Sequence, residues 1–244
     1  MLYLHEIIDI VGTGQEAYLD SVGERAAHSG KEGISRLVGT WKVIGSTNRW
    51  PGVVNLWEMD GWGHWAETLE RQHFPEKKDA TLAPWWAQAT QWRSGGFDRI
   101  LEPAPYAPTL AQLRTRNLSA WVCVHTIVRT VAGQRDVYLG AVGDTLRPRL
   151  EQRGLTLMGA YAAPMRSDEA LVLWAAADFR VLCELYAQRK DDRGLRDWDA
   201  QVAPLRRKFE TMWLVPSTHC FFHPQHQTQH REVVTKSGDR IRNS

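Results

Sequence analysis

An internal duplication constrains the fold of this chain more than any other feature of its sequence. Leu4-His5 recurs as Val124-His125, and Leu56-Trp57 recurs as Leu173-Trp174, with gaps only where loops are expected. Each copy has the size of a small domain of about 100 residues, whereas the repeats of solenoid proteins have ~20–50 residues. The sequence therefore predicts two similar domains within one chain.

Both copies have the same order of predicted elements, β-α-β-β-α(α)-β, which is typical of the ferredoxin-like fold. Such a sheet carries its helices on one face, and its bare face would leave a large apolar area in water. We therefore predict an α+β protein, a tandem duplication of ferredoxin-like domains whose antiparallel sheets pack face to face around an interior. The predicted domains are residues 1–105 and 119–217, with a linker at residues 102–118 and a polar, His-rich C-terminal tail at residues 218–244.

Three segments of the first copy resemble the sequence motif of the NIPSNAP family. Residues 37–41, 45–48 and 53–57 follow one another as a G-x-W strand, a Gly-x-x-Asn turn and a V-V-x-L-W strand. The resemblance implies the dimeric α+β barrel superfamily, which includes cofactor-free monooxygenases, haem-degrading enzymes and isomerases. The first strand has Glu6 and Ile7 where that family usually has an Arg, so no role of that Arg is transferred to this chain.

The equivalent histidines His5 and His125 are predicted to be catalytic. Strand alternation places His5 on the same face as Ile7. If that face lines the interior, an imidazole with a pKa near neutrality can move a proton to or from a bound substrate. The alternative is that each imidazole only hydrogen-bonds a neighbouring strand. His64, just after the third strand, is a further candidate acid/base group, with a surface cap as its alternative.

The excess of Trp residues in the first copy indicates where an apolar or aromatic ligand binds. Most of the 12 Trp residues lie there, and apolar pockets with few polar groups are typical ligand sites. The predicted substrate-binding residues are Trp41, Asn55, Trp57, Trp62 and Trp65. Asn55 interrupts an apolar strand, so its amide needs either a ligand or a neighbouring strand as partner. Packing is the alternative role for Trp57.

Composition and charge exclude several kinds of partner. The chain has 30 basic and 28 acidic residues, a formal net charge of +2, and no dense basic run in its predicted domains, so nucleic acid is not expected. A signal peptide and long apolar stretches are absent, which predicts a cytoplasmic protein without a membrane partner. The three Cys residues have unrelated spacings, which fits a reducing compartment.

Two classes of function are compatible with these features. The first is a metabolic enzyme with His-based acid/base chemistry on a small molecule, that is, an isomerase, a lyase or a cofactor-free oxygenase. The second is a non-catalytic NIPSNAP-like binding or assembly protein, or a haem- or metal-binding protein. No cofactor or metal is predicted, although the tail contains His219, Cys220, His223, His226 and His230, and imidazole suits zinc and haem iron. A homo-oligomer is also predicted.

Overall fold

The strands of both copies form one closed antiparallel barrel with helices on its outside. The computed structural model describes residues 1–31 and 35–225, so the remainder of the predicted tail lies outside the described residues. The strands are β1 Leu2–Ile10, β2 Arg36–Val43, β3 Gly52–Met59, β4 Arg93–Pro103, β5 Val122–Thr130, β6 Leu155–Ala162, β7 Glu169–Ala176 and β8 Arg206–Pro216. The helices are α1 Gln15–Lys31, α2 Trp62–His73, α3 Leu82–Ala89, α4 Leu110–Arg114, α5 Arg135–Ala141, α6 Arg147–Glu151, α7 Phe179–Gln188 and α8 Arg193–Val202.

The order of strands around the barrel is β1-β3-β2-β8-β5-β7-β6-β4, with β4 pairing back to β1. Each copy therefore contributes a four-stranded half. The halves join at two seams, where β2 pairs with β8 and β4 pairs with β6. The predicted fold class is confirmed, and the two sheets also pair edge to edge. Both seams are short, with three residue pairs between β2 and β8 and two between β4 and β6.

Alternation along the strands separates an inner core from an outer one. In β1, Tyr3 and Ile7 belong to the cluster that fills the barrel, together with Leu56 and residues of the second half. Ile8 lies on the opposite face and packs with Tyr18 of α1. Apolar residues occupy both faces, so burial of the inner cluster and of the layer beneath the helices both stabilise the fold. The inward face of β1 is also the face of His5.

The linker between the copies closes one end of the barrel. Its helix α4 begins with a capping box, in which the side chains of Thr109 and Gln112 each accept a backbone N–H of the other residue. Leu110 contributes to the barrel core, and its backbone N–H donates to the buried Glu58 carboxylate at 2.8 Å. The Tyr3 hydroxyl donates to the same carboxylate at 2.8 Å. This network anchors the linker to the barrel.

The first residues of the predicted tail close the same end. Phe222 is fully buried, and its ring centroid lies 5.9 Å from that of Trp41 in the interior. The Cys220 thiol donates to the carbonyl oxygen of Thr40 at 3.2 Å. The segment that follows β8 is thus part of the core as far as His223, which is also buried.

Among the residues that the structure describes, no helix is long and apolar enough to cross a membrane.

Candidate functional site

His5 and His125 meet at the centre of the barrel. Their Nε2 atoms are 2.8 Å apart, the ring planes differ by 14° and the ring centroids are 4.9 Å apart. The centroid distance exceeds the Nε2–Nε2 distance by about the radii of the two rings, so the rings meet end to end rather than face to face. One Nε2–H therefore donates to the other Nε2 in a nearly planar hydrogen bond.

The environment of this pair keeps both imidazoles neutral at pH 7. Each histidine is 1% exposed. Burial, with the neighbouring His125 and Arg99 adding to it, lowers the pKa of His5 well below its usual value. Burial and Arg99 lower the pKa of His125 to about 3. In a neutral pair each ring has one N–H. The donating ring has its proton on Nε2 and a bare Nδ1, whereas the accepting ring has its proton on Nδ1.

Both Nδ1 atoms of the pair are buried and have no hydrogen-bond partner in the described part of the chain. The pair therefore offers one free donor and one free acceptor inside the barrel. Unpartnered buried polar atoms are rare, and a catalytic role or an unseen water or ligand is a common explanation for them.

The end of the barrel opposite the linker contains a cavity of about 340 Å³. This volume lies within the range of ~300–1,000 Å³ that is typical of small-molecule sites. Its wall combines apolar residues with a few charged ones, and includes Ile7, Val43, Phe97, Arg99, Ile127, Glu210 and Met212. Arg99 is the register partner of His5, and Met212 is the register partner of His125. The cavity therefore reaches the layer of the barrel that contains the histidine pair, although the imidazoles themselves are not part of its wall.

Arg99 is a candidate site residue that sequence reasoning missed. Its Nε donates to Glu169 Oε1 at 2.5 Å, and its guanidinium lies 4.2 Å from the ring centroid of Phe97. Glu169 belongs to the second copy, so the pair joins the two halves. A single Arg in a strand gives little signal in a sequence. Its role here depends on the ion pair with Glu169, which lies 70 positions away in the chain.

Asn55 and Trp57 lie on the outer face of β3, beneath the helices, and not in the interior. The Asn55 carbonyl oxygen accepts from the Thr40 hydroxyl at 2.6 Å, and its amide donates to Glu6 at 3.1 Å. The indole N–H of Trp57 donates to the same carboxylate at 2.8 Å. Burial and the nearby Asp98 raise the pKa of Glu6, against the effect of these two hydrogen bonds. An acidic residue in the middle of an apolar strand was the available sequence signal for this cluster.

Trp41 is the one predicted substrate-binding residue that lies inside the barrel. It is fully buried and packs against Phe222 at the closed end. Its position there gives it a packing role in this structure.

His64, Trp62 and Trp65 lie on α2, outside the barrel. The backbone N–H of Asp60 donates to His64 Nδ1 at 3.2 Å. Trp62 is 44% exposed, its indole N–H donates to Glu102 at 3.0 Å, and its ring contacts Trp65 edge to face at 5.5 Å. The fold does not bring these three residues to the histidine pair.

Among the residues with described positions, no group of three or more His, Cys, Asp or Glu side chains could hold a metal ion. The tail residues His226 and His230 lie outside the described part of the chain.

Two ferredoxin-like halves that close into one barrel define a dimeric α+β barrel built within a single chain. Several solved structures share this fold. A candidate monooxygenase from Lactobacillus acidophilus NCFM is 11% identical, with a TM-score of 0.60, over 88% of this chain and 93% of its own length. An anthrone oxidase-like protein is 10% identical, with a TM-score of 0.61, over 88% of this chain and 91% of its own.

One further solved structure aligns with part of the chain. An uncharacterized NIPSNAP domain protein from Burkholderia xenovorans is 19% identical, with a TM-score of 0.38, over 45% of this chain and all of its own length (100%). No protein-family model and no curated protein sequence matches the chain. At these identities the likenesses concern the fold, so function has to be argued from the site.

Proposed function

We propose that this chain is an enzyme that removes a proton from an apolar small molecule bound at the open end of the barrel. The observation that carries the proposal is the His5–His125 pair, whose two Nδ1 atoms are buried without partners. The cavity above the pair has the size of a small-molecule site. Together they supply a binding space and a group that can exchange protons.

The pair can transfer a proton without holding a charge. A single buried imidazole with a depressed pKa is a weak base, because burial penalises the imidazolium ion. In the pair, one Nδ1 accepts a proton while the Nε2–H of that ring passes to the Nε2 of the other ring, and the Nδ1–H of that second ring leaves. One proton enters and one departs, so both rings end neutral. This exchange requires the short Nε2–Nε2 contact of 2.8 Å.

Cofactor-free oxidation of an activated C–H bond is the reaction that we favour. A compound R₂CH₂ and O₂ give R₂C=O and H₂O: both C–H bonds break, one oxygen atom becomes the carbonyl oxygen and the other leaves in water. Proton removal comes first and produces the carbanion or enolate that donates electrons to O₂. The candidate monooxygenase and the anthrone oxidase-like protein with similar folds support this choice. Isomerase and lyase reactions begin with the same proton removal and are the alternatives.

The test measures oxygen uptake and quinone formation with anthrone as the probe substrate, corrected for the spontaneous rate. We compare the wild type with His5→Gln and His125→Gln, which keep a polar side chain but cannot relay a proton. Loss of general acid/base catalysis typically lowers the rate ~10²–10⁴-fold, and we expect a loss of kcat/KM in that range. His73→Gln, an exposed histidine at the end of α2, serves as the control and should retain wild-type turnover.

Two results would contradict the proposal. Unchanged turnover in both histidine variants would exclude a role for the pair. A wild type that does not exceed the spontaneous rate would exclude this oxidation, and would favour a non-catalytic binding protein whose interior serves for packing, as it does around Trp41 and Phe222.

A further inference from the structure

We infer that the open end of the barrel binds the anionic group of an organic acid, a carboxylate or an enolate oxygen, through the guanidinium of Arg99. The inference rests on the cavity of the proposed function and names the charge of the molecule that occupies it. Arg99 lies on β4 opposite His5 and forms part of the cavity wall. A guanidinium at this place can contact a ligand whose reacting carbon lies above the histidine pair.

Arg99 has a donor group that no described residue uses. Its side chain is only 10% exposed, and its Nη1 is buried without a hydrogen-bond partner in the described part of the chain. Its Nε is already used by Glu169. A guanidinium carries five N–H donors in a planar fork, and a buried charged donor without an acceptor is unfavourable. An anionic oxygen in the cavity would satisfy it.

The charges around Arg99 leave a positive surplus. Glu169 is 1% exposed and forms ion pairs with Arg99, with Arg129 at 3.2 Å and with Arg166 at 3.5 Å. Asp168 lies 3.9 Å from Arg129. In this cluster three guanidinium groups therefore share two carboxylates. The Asp98 carboxylate also interacts with Arg99, but its interaction with Arg93 is larger.

The other charged residues of the cavity wall do not cancel this surplus. Asp9 pairs with Arg49 at 3.4 Å, and Glu210 pairs with Lys208 at 2.5 Å. Each of these carboxylates has its own basic partner. The positive surplus therefore lies at Arg99, and the burial of its side chain strengthens the interactions of that charge relative to water.

The apolar part of the wall indicates that the rest of the ligand, apart from its anionic group, is apolar or aromatic. Phe97 lies between two guanidinium groups, 4.2 Å from Arg99 and 4.1 Å from Arg166, which holds the Arg99 side chain against the wall. Ile7 and Ile127 supply apolar surface nearby. The site thus suits a small aromatic or apolar body with one anionic group. Placed beside a developing enolate, the same positive charge stabilises it.

Isothermal titration calorimetry with benzoate and with benzamide tests this inference. The two probes have nearly the same shape, and only benzoate is charged. We expect the wild type to bind benzoate at least about tenfold more tightly, as charge-assisted hydrogen bonds are roughly twice as strong as neutral ones. Arg99→Met removes the charge with little change in length, and the preference should fall to about twofold or less. Arg193→Met, at a residue whose side chain is 89% exposed on α8, is the control and should keep the wild-type preference.

If Arg99→Met does not fold, which circular dichroism would reveal, the wild-type comparison alone can still overturn the inference. Equal affinity for the two probes, or no binding of benzoate at millimolar concentration, would overturn the inference. A folded Arg99→Met variant that keeps the preference would overturn it as well. Both titrations are made without turnover. A benzoate preference together with unaffected histidine variants would therefore reject only the catalytic proposal, and the opposite combination would reject only the anion site.

Discussion

The buried imidazoles of His5 and His125 couple the stability of the fold to pH. In the folded chain the pKa of His125 is lowered to about 3, and in the unfolded chain it returns to about 6.5. Between these values the unfolded state binds the proton and the folded state does not. The stability contributed by the neutral ring is therefore present above pH 6.5 and is lost as the pH falls toward 3.

We predict that the free energy of unfolding of the wild type falls more steeply between pH 6 and pH 4 than that of His125→Gln, by about 1.4 kcal/mol per pH unit. Urea denaturation at a series of pH values measures both slopes. His73→Gln, an exposed histidine, should follow the wild type. Equal slopes for the wild type and His125→Gln would mean that the ring is protonated in the folded state as readily as in the unfolded chain.

Among the structural elements, the segment after β8 fills the closed end of the barrel. Phe222 is fully buried against Trp41, so Phe222→Ala should lower the free energy of unfolding by ~3–5 kcal/mol through lost burial and a residual cavity. Phe209 on β8 is 49% exposed, and Phe209→Ala should cost less than about 1 kcal/mol. Urea denaturation compares the two. Similar losses at both positions would show that the segment does not contribute to the core.

For the molecule as a whole, the duplication produces one inner core that both copies share, in addition to the outer cluster of each half. The cluster inside the barrel combines residues of both copies, such as Tyr3 and Leu56 with Leu171 and Leu173. We therefore predict a single unfolding transition, with the same midpoint by tryptophan fluorescence, which reports mainly on the Trp-rich first copy, and by circular dichroism. Two separate transitions would indicate that the halves fold independently. Closure of the barrel covers both inner sheet faces within one chain, so no second chain is needed to cover them. The homo-oligomer stays a prediction.

Much of the fold and part of the candidate site could be predicted from the sequence. Alternation in β1 and β5 placed His5 and His125 on equivalent faces, and those faces prove to line the interior. The same reasoning treated Asn55 and Trp57 as residues of that interior, whereas their partner Glu6 is on the outer face of β1. Alternation states which residues share a face, but it does not state which face becomes the inside. That choice depends on how the two halves close.

The duplication, the ferredoxin-like order of elements and the equivalence of the two histidines can all be read from the sequence, because they follow from local periodicity and from similarity between the copies. Three contacts could be seen only in three dimensions. The two imidazoles lie 2.8 Å apart, Arg99 lies opposite His5 and pairs with Glu169, and Phe222 closes one end of the barrel. These contacts join segments far apart in the chain. Their geometry is set by the register between strands and by the closure of the barrel, and neither has a local signature in the sequence.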